Sequence, residues 1–366
     1  MAGSTYGTIF KITTWGESHG KALGVVIDGC PAGLPLSEED IQFYLDRRKP
    51  GQTSISTPRK ESDQVEILSG VFEGRTTGTP ISLMIRNTSQ KSSDYSQIAS
   101  CYRPGHADYP FDAKYGFRDY RGGGRSSGRE TAGRVAAGAV ALKILSGLGV
   151  SVRAYTEAIG PVSIDYGRFD PSAILTTPTC MPDAEASARA ESYLKDCQME
   201  KDSAGGVIAC LVKGLPAGIG EPVFEKLDAA LAKAMLSIGA VKAFEMGDGT
   251  LVSGRKGSEN NDAFVMENGS VRKKTNHSGG TLGGLSDGSD LFFKAHIKPT
   301  PSIFKPQETV NREGENVTIQ IQGRHDPVIV PRAVVVVESM AALAILDLMM
   351  LNRNSRMEYL ERFYKS

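Results

Sequence analysis

Between Arg118 and Arg134 the sequence reads RDYRGGGRSSGRETAGR. Five arginines (Arg118, Arg121, Arg125, Arg129, Arg134) stand against two acids, Asp119 and Glu130, with three consecutive glycines and two serines among them. Glycine lets backbone N–H groups come close to a ligand, and serine hydroxyls add donors. The residues that follow, ETAGRVAAGAVALKILSGLG, are rich in Ala, Leu and Val and predict a helix from Glu130 to Ser146. A glycine-rich loop feeding a helix N-terminus collects anions, because unpaired N–H groups and the helix dipole both favour negative charge. Arg-Gly runs also occur as solvated or RNA-associated segments, but this one has no repeat and runs directly into an apolar helix. The expected chemistry is the holding of a multiply anionic small molecule.

All five histidines lie in or beside polar, glycine-rich settings: His19 in GESHG, His106 in RPGHAD, His277 in NHSGG, His296 before IKPTPS and His325 in GRHDP. Imidazole moves protons near neutral pH, and loops are where such groups serve chemistry. His19 and His106 are the preferred acid–base candidates, and Asp326, beside Arg324 and His325, is the best-placed carboxylate. GESHG also fits the G-x-S-x-G elbow with Ser18 as nucleophile, but the elbow needs a helix after it and KALGVVID reads as a strand. A phosphate-binding P-loop, an H-E-x-x-H zinc helix and a strand–G-x-G-x-x-G–helix unit are all missing from the sequence.

These groups need a scaffold, and 366 residues with 40% hydrophobic content can bury a sizeable core. Charge is balanced, with 42 basic and 42 acidic residues, which argues against a dedicated nucleic-acid binder. Five cysteines without a C-x-x-C pair suit reduced thiols rather than a disulfide framework or a zinc site. No signal pattern opens the chain, and its most apolar stretch, Val328 to Leu351, is interrupted by Arg332, Glu338 and Asp347. A soluble cytosolic protein without a membrane partner is expected.

Residues Thr8 to Thr14 and Gly24 to Asp28 predict a hairpin, and LSEEDIQFYLDRRKPG a helix capped by Ser37 and stopped by Pro50-Gly51. Short strands are predicted at Glu66 to Ser69, Val71 to Glu73 and Ile81 to Arg86, then a long polar loop from Asn87 to Arg121. Two pairing strands are expected at Val150 to Ala154 and Ala158 to Ile164, a surface helix from Asp183 to Asp202, and a central strand at GGVIACLVKGL. The stretch PVFEKLDAALAKAMLSIGA predicts a helix with Phe224, Leu227, Leu231 and Met235 facing inward. Further strands are expected at VKAFEMGDG, Leu291 to His296, Val317 to Ile321 and Val328 to Val330, before a buried helix from Arg332 to Met350. Strands cluster between helices without strict βαβ alternation, so the class is α+β.

Together, GESHG at Gly16 to Gly20, DRRKPG at Asp46 to Gly51, RPGHAD at Arg103 to Asp108, RGGGRSSGRET at Arg121 to Thr131, SIGAVKAFEMG at Ser237 to Gly247, NHSGGTLGG, KPTPS and GRHDP resemble the chorismate synthase family over nearly the whole chain, in the family's order. The resemblance implies a single domain spanning 1–366, a β-α-β sandwich of two antiparallel sheets packed around central helices, assembled as a homotetramer. It implies conversion of 5-enolpyruvylshikimate 3-phosphate to chorismate by anti 1,4-elimination of phosphate, with reduced FMN required although no net redox change occurs. That substrate carries two carboxylates and a phosphate, which suits guanidinium clamps. By resemblance His19 protonates the departing phosphate, His106 assists charge on the reduced flavin, and Asp326 helps the flavin accept the substrate proton.

By the same resemblance, FMN falls to Arg125, Ser126 and Ser127, to Gly239 and Ala240, to Gly283, to Lys298, Pro299, Thr300, Pro301 and Ser302, and to Arg324. Arg48, Arg129 and Arg134 are the implied substrate or NADP contacts. Two positions depart from the family pattern: Ser54 stands where many members carry arginine, and Gly239 replaces a side chain. Without a Rossmann unit in the sequence, the flavin is expected to be reduced by an external flavin reductase.

Overall fold

Residues Lys11–Gly16 alternate exposed and buried side chains and pair antiparallel with Ala22–Asp28, setting Ile12 opposite Ile27 and Thr14 opposite Val25. This is the predicted hairpin, and it seeds a five-stranded antiparallel sheet ordered Thr5–Tyr6, Lys11–Gly16, Ala22–Asp28, Ile81–Arg86, Val65–Ser69. The computed structural model describes residues 3–51, 61–88, 99–321 and 326–365. Ser54, Arg324 and His325 lie outside the described residues.

A second five-stranded antiparallel sheet runs Val241–Met246, Leu291–Ile297, Gly206–Lys213, Ser151–Ile159, Val162–Ser163, with the GGVIACLVKGL segment at its centre as expected. The expected pair of strands at 150–164 is instead one long strand with a two-residue return. Tyr155, Thr156 and Glu157 continue the extended run, and the chain turns only at Gly160, whose φ of +52° suits glycine.

The Thr131–Gly147 helix contacts strands Lys11–Gly16, Ala22–Asp28 and Ile81–Arg86 of the first sheet. The Val330–Leu351 helix contacts Ser151–Ile159 and Gly206–Lys213 of the second, and the two helices pack on each other. Gly138 permits their approach, since a Cβ there would lie 2.2 Å from the Ser339 Cβ. Val330–Leu351 is long and apolar enough to cross a membrane by composition alone, but here it is an interior helix, buried from Ala333 through Leu348. The strand expected at Val328 to Val330 does not form: Val328 and Ile329 lead straight into the helix, and Pro331 occupies its first turn, where a missing N–H costs nothing.

The helix's two buried acids are satisfied rather than stranded. Glu338 accepts from Arg47 Nη1 at 2.6 Å and from the Ala154 backbone N–H at 2.9 Å. Asp347 accepts from the N–H groups of Thr8, Ile9 and Phe10 at 2.7–3.0 Å, pinning the N-terminal segment to the core.

Two further expectations differ. The Leu227–Leu236 helix buries Leu227, Leu231 and Met235, but Phe224 is 87% exposed, because the helix starts only after its cap at Lys226 and the periodicity does not reach back that far. The polar stretch predicted as loop contains the Asp108–Tyr115 helix, closed by Gly116 at φ +81°. Ser37 does cap the Glu38–Arg48 helix, in a capping box with Asp40.

Candidate active site

The RGGGRSS run folds as two short 3-10 turns, Gly124–Ser126 and Gly128–Glu130, leading into the Thr131–Gly147 helix. The Ser127 hydroxyl accepts from the Arg129 N–H at 3.3 Å, while the Ser126 hydroxyl donates to the Gly123 carbonyl at 2.8 Å. Gly122, at φ +67°, lies directly against His19: a Cβ at 122 would fall 2.2 Å from the imidazole Cε1. The first predicted histidine and the arginine loop are thus neighbours although 103 positions separate them in the chain. His19 is 7% exposed, and its Nδ1 stands 3.0 Å from the Ser18 hydroxyl, which also reaches the Gly122 carbonyl. The Ser18 hydroxyl thus lies between the imidazole and that carbonyl and orients the ring through Nδ1. The GESHG segment runs on into strand Ala22–Asp28, so the strand-to-helix geometry of a nucleophile elbow is not built around Ser18.

The arginines divide into two groups. Arg48 and Arg129 are buried and converge on Asp63: Arg48 donates from Nε at 3.3 Å and Nη2 at 2.8 Å, and Arg129 pairs through Nη1. Arg48 also reaches the Gly128 carbonyl and Thr131 hydroxyl at the loop's entry to the helix, and Arg129 reaches Asn87 Oδ1 at 2.9 Å. Burial alone would raise the Asp63 carboxyl, but the two guanidiniums overcome it and hold it down at about 2. Arg125 and Arg134 are more open and share Glu130: Arg134 Nε is 2.8 Å from Glu130 Oε2 and Arg125 Nη2 is 3.8 Å from Oε1. Arg125 also donates to the Thr14 hydroxyl at 2.7 Å, and Arg134 to the Ser237 hydroxyl at 2.7 Å, which ties the helix to the SIGAVKAFEMG segment.

His106 sits at the tip of the RPGHAD loop against the KPTPS segment. Its Nδ1 is 3.0 Å from the Pro104 carbonyl and its Nε2 is 2.9 Å from the Ser302 hydroxyl. A carbonyl only accepts, so Nδ1–H donates to Pro104 and Nε2 faces the Ser302 hydroxyl. Lys298 Nζ donates to the Gly105 carbonyl at 2.8 Å, and the Lys298 N–H donates to the Ala240 carbonyl at 3.0 Å. Ala240 itself holds φ +73°, and the space around a Cβ at Gly239 is open. Thr300 Oγ1 is buried with no hydrogen-bond partner among the described residues, a donor set one polar contact short.

Residues assigned by motif are therefore joined through successive contacts: His19 to the arginine loop, Arg134 to Ser237, Ala240 to Lys298, and Ser302 to His106. Asp326 pairs with Arg332, whose Nε donates to the Arg48 carbonyl at 3.0 Å, placing it by the first helix's C-terminal end. Gly283, at φ +63°, turns the Thr281–Leu282 and Leu285–Ser286 hairpin beside the start of the Leu227–Leu236 helix, where Leu227 N–H meets the Gly284 carbonyl. No contact joins it to the other assigned residues among those described. Sequence reasoning missed Asp63, Asn87, Arg332 and the Arg103–Asp108 pair. Of these only Arg103 and Asp108 carried a signal, as the two ends of the RPGHAD motif.

The chorismate synthase family model matches residues 10–350. The chain is 64% identical over 366 residues to a chorismate synthase of Lachnoclostridium phytofermentans, covering all of both chains, and 63% identical over 365 residues to that of Agathobacter rectalis, again at full coverage. A chorismate synthase of Methanocella arvoryzae is 54% identical over 352 residues, 95% of each chain. A solved crystal structure of chorismate synthase matches with a TM-score of 0.75 at 30% identity, covering 98% of this chain and 97% of the other. With the family model matching residues 10–350 and relatives matching it end to end, one assignment follows: the chain belongs to the chorismate synthase family.

Proposed function

We propose that the chain converts 5-enolpyruvylshikimate 3-phosphate to chorismate by anti 1,4-elimination, using reduced FMN. It is a lyase acting on a phosphate-bearing substrate, as its family membership entails. In this reaction the C3–O bond breaks, its electron pair leaves with phosphate, a proton leaves C6, and a new double bond forms. Reduced FMN, when bound, supplies an electron-rich ring beside the substrate that stabilises this charge separation without net redox change.

The observation that carries the reading is the run of contacts from His19 to the arginine loop, from Arg134 to Ser237, and from Ala240 to Lys298, the Gly105 carbonyl and the His106 loop. Thr300 Oγ1, buried and unpaired among the described residues, fits a polar cofactor laid along the KPTPS segment. Open space at Gly239, and Ser126 and Ser127 in the arginine loop, fit the same occupant. Arg125, Gly283, Pro299, Pro301 and Arg324 complete the proposed FMN contacts. His19 Nε2 protonates the departing phosphate. His106 Nε2 gives or takes a proton beside Ser302, and Asp326 helps receive the C6 proton. Arg134 contacts the anionic substrate or NADP directly. Arg48 and Arg129, oriented by Asp63, are the other substrate or NADP contacts.

The contacts of the two interior helices with the two sheets support reading the fold as a β-α-β sandwich forming a single domain. A homotetramer in the cytoplasm, with an external flavin reductase as electron source, completes the proposal. The experiment is anaerobic turnover of 5-enolpyruvylshikimate 3-phosphate with dithionite-reduced FMN, following phosphate and chorismate, with oxidised FMN as control. Turnover with reduced flavin alone is expected. A folded, flavin-binding protein that releases no phosphate would overturn the assignment.

A further inference from the structure

The loop that presents His106 is closed at its base by one carboxylate. Asp108 Oδ2 accepts from the Arg103 backbone N–H at 3.0 Å and from Arg103 Nε at 2.8 Å, and Oδ1 accepts from Arg103 Nη2 at 2.8 Å. The bidentate pair fixes both ends of a six-residue hairpin, and His106 N–H closes it further on the Arg103 carbonyl at 3.2 Å. Both side chains are buried, at 6% and 5% exposure. Arg118 braces Asp108 from behind at 3.7 Å while donating to the Cys101 carbonyl at 2.8 Å. Burial opposes the charge on Asp108, yet Arg103 and Arg118 hold its carboxyl below the ordinary range. At the loop's other side Gly105 abuts Pro301, where a Cβ would come within 2.7 Å.

This geometry separates two jobs. Contacts with Pro301, Ser302 and Lys298 hold the tip, whereas Asp108 reaches the imidazole through Arg103 and the loop backbone. We propose that Asp108 is a positioning residue for the elimination: through Arg103 it fixes the hairpin so that His106 Nε2 is presented at one place and angle. Asp108, buried at the base of the loop between Arg103 and Arg118, acts through His106 and not on the reacting atoms. The inference rests on the role proposed for His106.

The test is a double-mutant cycle in the full-length protein, measuring anaerobic turnover with saturating reduced FMN and substrate. Asp108→Asn keeps the shape but loses the charge-assisted pair, and kcat is expected to fall on the order of 100-fold, the cost of a misplacement near 1 Å. KM and FMN affinity should change less than about threefold, because binding groups are untouched. In a His106→Ala background the same Asp108 change should cost less than about twofold, since the residue it serves is gone. Glu358→Gln, which removes an exposed pairing with Arg356 far from the loop, should stay within about twofold of wild type. Equal losses from Asp108→Asn with and without His106, or unchanged kcat in the single variant, would overturn the proposal. If Asp108→Asn does not fold, Arg103→Lys, which retains the charge but not the fork, takes its place in the same cycle. Wild-type turnover in His106→Ala would instead refute the role of His106.

Discussion

Replacing Asp63 with Asn leaves a side chain of nearly the same shape and leaves two buried guanidiniums facing each other. Arg48 and Arg129 then have one neutral oxygen where a carboxylate stood, and the side-chain amide points donors at donors. Two routes give the size of the loss. The fall of the Asp63 carboxyl from an ordinary 3.8 to about 2 corresponds to roughly 2.5 kcal/mol of native-state stabilisation. Removing one partner from a buried ion cluster costs about 3–5 kcal/mol by comparison with measured cases. A loss near 3 kcal/mol is expected, read as a lower urea midpoint at fixed protein concentration. Because the folded value is depressed, the stabilisation is fully present above the unfolded value of 3.8 and disappears as pH falls through about 2. The gap between wild type and variant should therefore be constant from pH 7 to about 5, begin to narrow below about 4 and be lost below about 2. A variant within 0.5 kcal/mol of wild type at neutral pH (~1/6 of the expected loss), or a gap that persists unchanged into acid, would refute the argument.

Three other substitutions test separate parts of the structure. Gly138→Ala should lower the urea midpoint by an amount worth about 1–3 kcal/mol, despite alanine's better helix propensity, because its methyl meets Ser339 where the central helices touch. An unchanged or raised midpoint would contradict that close approach. Asp347→Ala strips the acceptor from three backbone N–H groups at residues 8–10 and should cost about 3 kcal/mol, with earlier proteolysis of the N-terminal segment; equal protease resistance would count against the pin. Thr300→Val should leave ligand-free stability unchanged or raised by up to about 1 kcal/mol while weakening reduced FMN about tenfold; full FMN affinity in the variant would remove Thr300 from the cofactor contacts.

What was legible in the sequence followed from local rules. Ser37 and its acids marked the first helix, the Ala-rich run after Arg129 marked the interior one, and alternation along residues 11–16 marked a strand. The arginine loop was visible as chemistry, but its electrostatic balance was not. Locally it shows five cations against two acids, yet Asp63 reaches Arg129 from 66 positions away and Asp108 reaches Arg118 from a different turn of the chain. Pairings at that separation leave no periodicity to read. The same holds for Glu338 and Asp347, which interrupt an apolar run in the sequence and become, in the fold, the anchors of Arg47 and the N-terminal segment. Boundaries failed where one residue decided them: Gly160 delayed a turn, and Lys226 capped a helix too late to include Phe224.

The lysine at 273 offers a last consequence. Its ammonium is almost sealed from water and is held by Asp262 Oδ2, Asp287 Oδ2, Asn276 Oδ1 and Ser278 Oγ at 2.7–3.2 Å. That is an oxygen cage of the kind other proteins fill with calcium, but at longer, hydrogen-bonding distances and closed by a covalently tethered cation. The cation that holds the NHSGG turn is consequently part of the chain itself, so a chelator cannot strip it and a competing ion cannot exchange for it. The cage also fixes a dependence within the chain, because no aspartate there can be exchanged without unseating the lysine, and no neutral residue can replace the lysine without setting the aspartates against each other.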